Sequence, residues 1–260
     1  MFKDIVVFLR YKDLLINLTE REIKARYKQS ILGYFWVILN PFLQMLVMTF
    51  IFSIVMKVPS LGVPYPIFLY VALLPWNFFS NSLSSSMNSL VANSSLITKI
   101  YFPREILVYS TVFAKVIDLI LAVSILVIFM IIYRIPVSTR ILWVPVIFII
   151  QLIFTTGLSL ILSTFNLFYR DIQYLVSLML MLWMYLTPVI YPVEIIPNEY
   201  RFILSLNPMA VFVNAYRQVI LGGGDPNLNS LIIGVIVSLF VFLAGFSIFK
   251  KLEGIFSDVV

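Results

Sequence analysis

Lys115 and Asp118 stand three residues apart inside an apolar run over 106–133. On a helix these positions share a face, so the two side chains can pair. A charge inside an apolar helix is costly, and it marks either a functional polar path or a neutralised structural charge. The residues favour neutralisation, because the cation has a carboxylate beside it. A second concentration of polar groups runs from Ser80 to Ser95, where eleven of sixteen residues are Ser or Asn. The apolar residues among them, Leu83, Met87, Leu90 and Val91, keep helical spacing. The segment reads as a helix with one greasy stripe and a broad hydroxyl and amide face. Such a face can wall a polar translocation path or act as interhelical hydrogen-bond glue, and both readings stand.

Residues 1–30 carry seven basic side chains: Lys3, Arg10, Lys12, Arg21, Lys24, Arg26 and Lys28. They are interleaved with apolar residues, and no apolar run with a small-residue cleavage site stands among them, which argues against a cleavable signal. Thr19 and Glu22 have capping-box spacing, which predicts a helix starting there, with Ile23, Tyr27 and Ile31 on one stripe. That pattern suits a helix lying in a membrane interface or, alternatively, a solvated lead-in to the first span. Further on, Lys99-Ile100-Tyr101-Phe102-Pro103-Arg104 sets two aromatic residues between cations in a short element that Pro103 ends. An exposed Tyr-Phe pair there would be a docking surface for a partner or an interfacial anchor.

Other chemistries lack their residues. The chain has no His and no Cys, so imidazole catalysis, thiolate chemistry and the usual zinc sites are not expected. Gly222-Gly223-Gly224 is followed by Asp225 rather than the Lys-Ser/Thr of a phosphate-binding loop, so ATP hydrolysis by this chain is not expected. Asp118 is the one carboxylate within a span, whereas proton-coupled carriers set Asp, Glu or His along their path. Energy should therefore come from a separate subunit. No catalytic or metal-ligating residue is assigned.

The elements that position these groups follow from composition. Of 260 residues, 62% are hydrophobic and 12% charged, against roughly 25% charged in soluble domains. Too few charges remain to make a soluble surface, so the solvent must be lipid. With about 20 residues per span, six apolar segments fit, near 31–55, 67–91, 106–133, 141–167, 174–190 and 230–249. The fold class is an all-α integral membrane protein with six transmembrane helices. It divides into an N-terminal amphipathic segment, 1–30, and a transmembrane domain, 31–260. With the N-terminus inside, twelve Lys and Arg lie on the inner side and five outside. That asymmetry places both termini in the cytoplasm. The net charge of +6 then reflects basic loops beside anionic lipid rather than nucleic-acid binding. Asn40-Pro41 interrupts the first span, whose freed backbone groups need a neighbouring helix or a cavity. Between 191 and 229, Asn207 reads as an N-cap, Pro208 as the first helical residue and Gly222 as a stop, and a second short helix is expected over Glu199–Leu206. These short outer helices either dip into the outer leaflet or form a small cap.

The stretch Arg26-Tyr27-Lys28-Gln29-Ser30-Ile31-Leu32-Gly33-Tyr34-Phe35-Trp36-Val37-Ile38-Leu39-Asn40-Pro41 resembles permease subunits of type-two ABC exporters for cell-surface polysaccharides, the Wzm-type O-antigen and teichoic-acid permeases. Tyr101-Phe102-Pro103-Arg104-Glu105, Tyr169-Arg170-Asp171-Ile172 and Leu206-Asn207-Pro208-Met209 agree in order, and the resemblance runs over nearly the whole chain. It implies a homodimer of six-span permeases with two cytoplasmic ATPase subunits, which hold the ATP and Mg. This chain itself would bind no cofactor. The resemblance further implies a gate helix over 1–28, a coupling helix over 93–104 and re-entrant outer helices over 191–222. The substrate would be a polysaccharide on a lipid diphosphate, crossing the cytoplasmic (inner) membrane. Arg21, Lys24, Arg26 and Lys28 would then face the diphosphate, or only anionic lipid. Tyr34, Trp36, Trp183 and Tyr185 are channel-lining candidates, since aromatic faces suit sugar C–H surfaces and Ser/Asn suit hydroxyls. The alternatives are a permease for teichoic acid, a drug or another amphiphile, and an ion-coupled secondary transporter.

Overall fold

The computed structural model describes residues 11–27, 32–60, 62–222 and 224–259. Among these every regular element is helical. In chain order they are α1 (Lys12–Tyr27), α2 (Phe35–Thr49), α3 (Tyr65–Met87), α4 (Ser89–Ala92), α5 (Ser94–Lys99), α6 (Glu105–Ile132), α7 (Trp143–Phe168), α8 (Ile172–Leu186), α9 (Arg201–Leu206), α10 (Pro208–Ile220), α11 (Leu228–Leu252) and α12 (Phe256–Val259). A π-helical stretch, Phe50–Val55, prolongs α2.

Each of the six apolar segments forms a helix. Among the described residues, four stretches are long and apolar enough to cross a membrane: Phe35–Val55, Glu105–Ile132, Thr139–Phe168 and Leu228–Val259. The other two segments differ for physical reasons. The 15-residue α8 is apolar but short. The 23-residue α3 has the length, but its second half carries the Ser and Asn face. It tolerates that polarity because it is the central post of the fold. Residues Ile67 to Leu74 are all buried, and α2, α6, α7, α8 and α10 all pack on it.

Several polar groups inside this bundle are satisfied across helices, where lipid offers no partner. Gln151 of α7 donates to the Pro75 carbonyl at 2.8 Å and accepts from the Tyr216 hydroxyl of α10 at 3.1 Å. Tyr70 donates to the Ala122 carbonyl of α6 at 3.1 Å. Helices α7 and α11 approach closely at Gly157. A Cβ on Gly157 would lie 2.6 Å from the Phe242 Cα, so only glycine permits the contact.

The N-terminal helix corrects one expectation. It begins at Lys12, not at Thr19. The Thr19 hydroxyl donates to the Leu15 carbonyl at 2.7 Å, the back-bonding available to a threonine inside a helix. Apolar residues upstream explain the earlier start. Tyr11, Leu14, Leu15 and Leu18 pack into a cluster with Leu90, Ile97, Phe102, Ile106 and Phe256. Burial of that face outweighs the cap signal. The Tyr27 side chain and Ile31, two of the three residues of the stripe expected from sequence, lie outside the described residues.

Candidate functional site

The first candidate region lies between α3 and α6. The short α5 ends at Lys99, and the backbone extends at Ile100. Lys99, Ile100 and Tyr101 face solvent, and Tyr101 is 96% exposed. Phe102 does not share that position. It is 6% exposed and packs among Ile97, Ile106 and Leu107. The exposed pair expected from sequence is therefore a single exposed tyrosine followed by a core phenylalanine. Pro103 precedes α6, and Arg104 is held by the C-terminal segment. Its guanidinium donates to the Glu253 carbonyl and to the Ser257 hydroxyl, and its N–H to the Glu253 carboxylate at 3.0 Å. Beside it, Lys250 bridges Glu105 at 2.7 Å and Glu253 at 3.0 Å. Of this set, Lys99, Ile100 and Tyr101 are the groups free to meet another protein.

The basic residues of α1 are largely engaged within the chain. Arg21 donates to the Asn93 carboxamide and stands 3.8 Å from Glu22. Lys24 lies on the exposed face, 2.5 Å from Glu20, and this contact raises its ammonium above the ordinary value. Arg26 donates to Asp118 at 2.8 Å. Lys28 lies outside the described residues. Asp118 thus holds two cations, Arg26 and Lys115, the latter at 3.2 Å. The pair seen in sequence is the inner part of a triad that ties α1 to α6. Its third member could not be found by spacing, since 92 residues separate Arg26 from Asp118.

Next to the triad, a cavity of about 450 Å³ opens between α2, α3 and α6. Asn40 and Gln44 come from α2, Asn77 and Asn81 from α3, and Lys115 and Asp118 from α6. Asn77 donates to the Gln44 carbonyl oxygen at 3.0 Å. Trp36 and Pro41 also line the space, so the Asn40-Pro41 interruption of the first span does face a cavity.

The remaining aromatic candidates are scattered. Tyr34 and Tyr185 are exposed, 49% and 58%. Trp183 is half-buried, and its indole N–H donates to the Asn207 carboxamide oxygen at 2.9 Å while its ring meets Phe79 edge-on at 5.2 Å. The Ser/Asn face of α3 divides as well. Ser82, Ser86 and Ser89 point into the bundle, and Asn93 is taken by Arg21. Asn81, Ser84 and Asn88 stay exposed. Ser86 and Ser89 donate back to the carbonyls of Leu83 and Ser86 rather than to another helix, whereas Asn88 accepts from Asn166 of α7 at 3.2 Å.

Residues 13–221 match the family described as ABC-2 type transporter. The chain belongs to the ABC-2 type transporter family. This permease is 36% identical over 249 residues to the O-antigen export system permease protein RfbA of Klebsiella pneumoniae, with 95% of each chain covered. It is 34% identical over 255 residues to the protein of the same name in Myxococcus xanthus, covering 96% of each. A more distant relative is the polysialic acid transport protein KpsM of Escherichia coli, 25% identical over 232 residues, covering 86% of the permease and 88% of that protein.

One residue of the permease escaped the sequence reading. Arg217 lies on α10 beside an apolar stripe of Met209, Phe212, Val213, Tyr216 and Ile220, yet it is 7% exposed. Its guanidinium stacks on the Phe68 ring at 3.7 Å and donates to the carbonyls of Phe68, Pro188, Val189 and Tyr191. It fastens α10 and the turn after α8 to the top of α3. The signal was a lone cation next to a fully apolar stripe, and counting it among outer-loop charges concealed it. The outer helices otherwise form where expected: Asn207 caps α10 by accepting from the Met209 N–H at 3.1 Å, Gly222 adopts φ +80° after it, and α9 ends at Leu206.

Proposed function

We propose that this permease is the membrane-spanning subunit of an ATP-driven exporter that carries a lipid-linked polysaccharide of the O-antigen type across the cytoplasmic (inner) membrane. The observation that carries the reading is full-length similarity to O-antigen export permeases. In this reading all six apolar helices span the bilayer, both termini are cytoplasmic, and the outer helices α9 and α10 re-enter the outer leaflet. Two permeases pair, and each engages one ATPase subunit that holds ATP and Mg. Several features support it. The permease itself has no phosphate-binding loop, so hydrolysis falls to a partner. Tyr101 and Lys99 project from the cytoplasmic side of this topology, where an ATPase would dock. Among the described residues, α2 and α8 bury few side chains within the protomer, which leaves faces for lipid or a second copy.

The test is transport. A strain lacking the permease should lose surface polysaccharide and accumulate the lipid-linked polymer inside. Restoration should require both the permease and an ATPase with an intact phosphate-binding loop. Unchanged surface polysaccharide, or export driven by an ion gradient without any ATPase, would overturn the reading.

A further inference from the structure

Helix α6 begins at Glu105 without a side-chain cap from its own sequence. A carboxylate 149 residues away stands in for one: the Arg104 N–H donates to the Glu253 Oε1 at 3.0 Å. An anion there also suits the positive end of the helix dipole. The same junction is tied in the other direction. The Arg104 guanidinium donates to the Glu253 carbonyl and the Ser257 hydroxyl, and it lies 6.0 Å from the Phe256 ring centre. Lys250 meets both Glu105 and Glu253. Two cations thus face two carboxylates, so the junction is balanced and needs no ligand.

The segment that receives these bonds, 253–259, depends on them in turn. Its helix α12 is a single turn, too short to hold by itself. It is seated by Phe256, which is fully buried against Phe249 at 5.2 Å and Phe168 at 6.2 Å. The cluster around Phe256 also contains Ile97 of α5 and Phe102. Helix α12 accordingly packs on α5 as well as on α7.

The stretch between α5 and α6 has little else to fix it. Among the described residues, Tyr101 and Phe102 make no hydrogen bond. Beyond the ends of the two helices, two side chains set their place. One is the Phe102 ring, in the cluster with Phe256, and the other is Arg104, on the far side of Pro103. Both lead to segment 253–259. The exposed Tyr101 is therefore held from behind by residues that follow the last long helix, not by its own neighbours in sequence.

We propose that segment 253–259 is a brace for the Tyr101 loop, with Arg104 as the positioning residue that joins the two. The brace presents Lys99, Ile100 and Tyr101 in one arrangement, so a partner protein does not have to order the loop on binding. The identity of that partner, the ATPase subunit, rests on the export reading. The brace deepens that reading by bringing residues outside the loop into coupling.

The test reads the loop first without any ATPase. The chain has no cysteine, so Tyr101→Cys gives a single attachment point for a nitroxide label, at a side chain with no packing to lose. Label motion is measured by electron paramagnetic resonance on the full-length permease in lipid nanodiscs. Arg104→Gln removes both guanidinium contacts, whereas Ser257→Ala removes one acceptor and alters nothing on the loop. Both should speed the label, Arg104→Gln more, with Arg104→Lys in between because it keeps a donor but loses the fork. The second readout uses the chain with Tyr101 intact and titrates the ATPase subunit onto it. Affinity should fall about tenfold with Arg104→Gln, the ordering of roughly one backbone residue that the partner must then supply. Adding Ser257→Ala to Arg104→Gln should weaken binding no further, because both act through one contact. If Arg104→Gln lowers the melting temperature, the milder Ser257→Ala carries the test alone. An Arg104 that touched the ATPase directly would leave label motion unchanged and Ser257→Ala silent, and that result overturns the proposal. Faster label motion with undiminished ATPase affinity overturns it as well. If the parent permease binds no ATPase at all, the export reading falls instead, and the label still decides whether the brace exists.

Discussion

Tyr101→Ala and Phe102→Ala are adjacent truncations with opposite expected consequences. Phe102 is 6% exposed in a cluster that joins α1, α5, α6 and α12 through Leu18, Ile97, Ile106 and Phe256. That cluster lies at the cytoplasmic end of the proposed topology, where water makes apolar burial favourable. Removing a buried phenylalanine ring costs about 3–5 kcal/mol, and here the void would open between four helices, which limits relaxation. Tyr101 is 96% exposed and loses no packing, so its truncation should change stability by no more than about 0.5 kcal/mol. If Tyr101 is an anchor for the ATPase, however, its loss should weaken association by about 2 kcal/mol, close to thirtyfold.

The assay has two readouts on the same preparations. Thermal unfolding of the detergent-solubilised permease, followed by size-exclusion fluorescence, measures folding. Titration of the ATPase subunit onto immobilised permease measures docking. The expected pattern is a lowered melting temperature with Phe102→Ala alone and a lowered ATPase affinity with Tyr101→Ala at an unchanged melting temperature. Equal destabilisation by the two changes would refute the opposed orientation of the side chains. Undiminished ATPase affinity of Tyr101→Ala would remove the docking role. A double change cannot discriminate, because the Phe102 effect on folding would mask any effect on docking.

Three further substitutions probe the scaffold. Gly157→Ala would set a Cβ 2.6 Å from the Phe242 Cα and 2.7 Å from its N, backbone atoms that cannot step aside, so α7 and α11 must part; a cost of about 1–3 kcal/mol is expected as a lower melting temperature. Gly234→Ala is its control, since the nearest atom is a Phe212 ring carbon at 3.2 Å that can give, and the loss should be clearly smaller. Arg217→Lys keeps the charge but not the fork that reaches four carbonyls, so a loss of about 3 kcal/mol is expected, read as faster proteolysis in 188–207 from the outer face.

Helix existence was legible wherever one residue pattern decided it. Asn207-Pro208 and Gly222 bound α10 because a cap, a fixed φ and a positive φ are local requirements. The Lys115–Asp118 pair was legible for the same reason, three residues on one helix face. What escaped depends on partners distant in sequence. Thr19 offers a cap signal, but Leu14, Leu15 and Leu18 find buried neighbours on α4, α5 and α6, and that burial moves the helix start seven residues upstream. Phe102 looks exposed beside Tyr101 until α12 supplies Phe256 behind it. Arg217 looks like a loop charge until four carbonyls, three of them from 188–191, converge on it.

The positive-inside count treats every Lys and Arg as a free charge, and the structure sorts them by what they touch. Arg104 and Lys250 join the start of α6 to the C-terminal segment. Arg21 and Arg26 bind α1 along the segment from Asn93 to Asp118. These are the same elements that flank Tyr101. A displacement of the Tyr101 loop by an ATPase therefore has two mechanical outlets. One is the Arg104 contact to the C-terminal segment, and the other is the cluster of Leu18, Ile97 and Phe102 that seats α1. Since α1 also supplies Arg26 to Asp118, a movement that lifts α1 must break a 2.8 Å ion pair at the edge of the amide-walled cavity. The Tyr101 loop, the N-terminal helix and the cavity are thus joined by contiguous contacts, and on the proposed function the Arg26–Asp118 pair is a link that a nucleotide cycle would have to break.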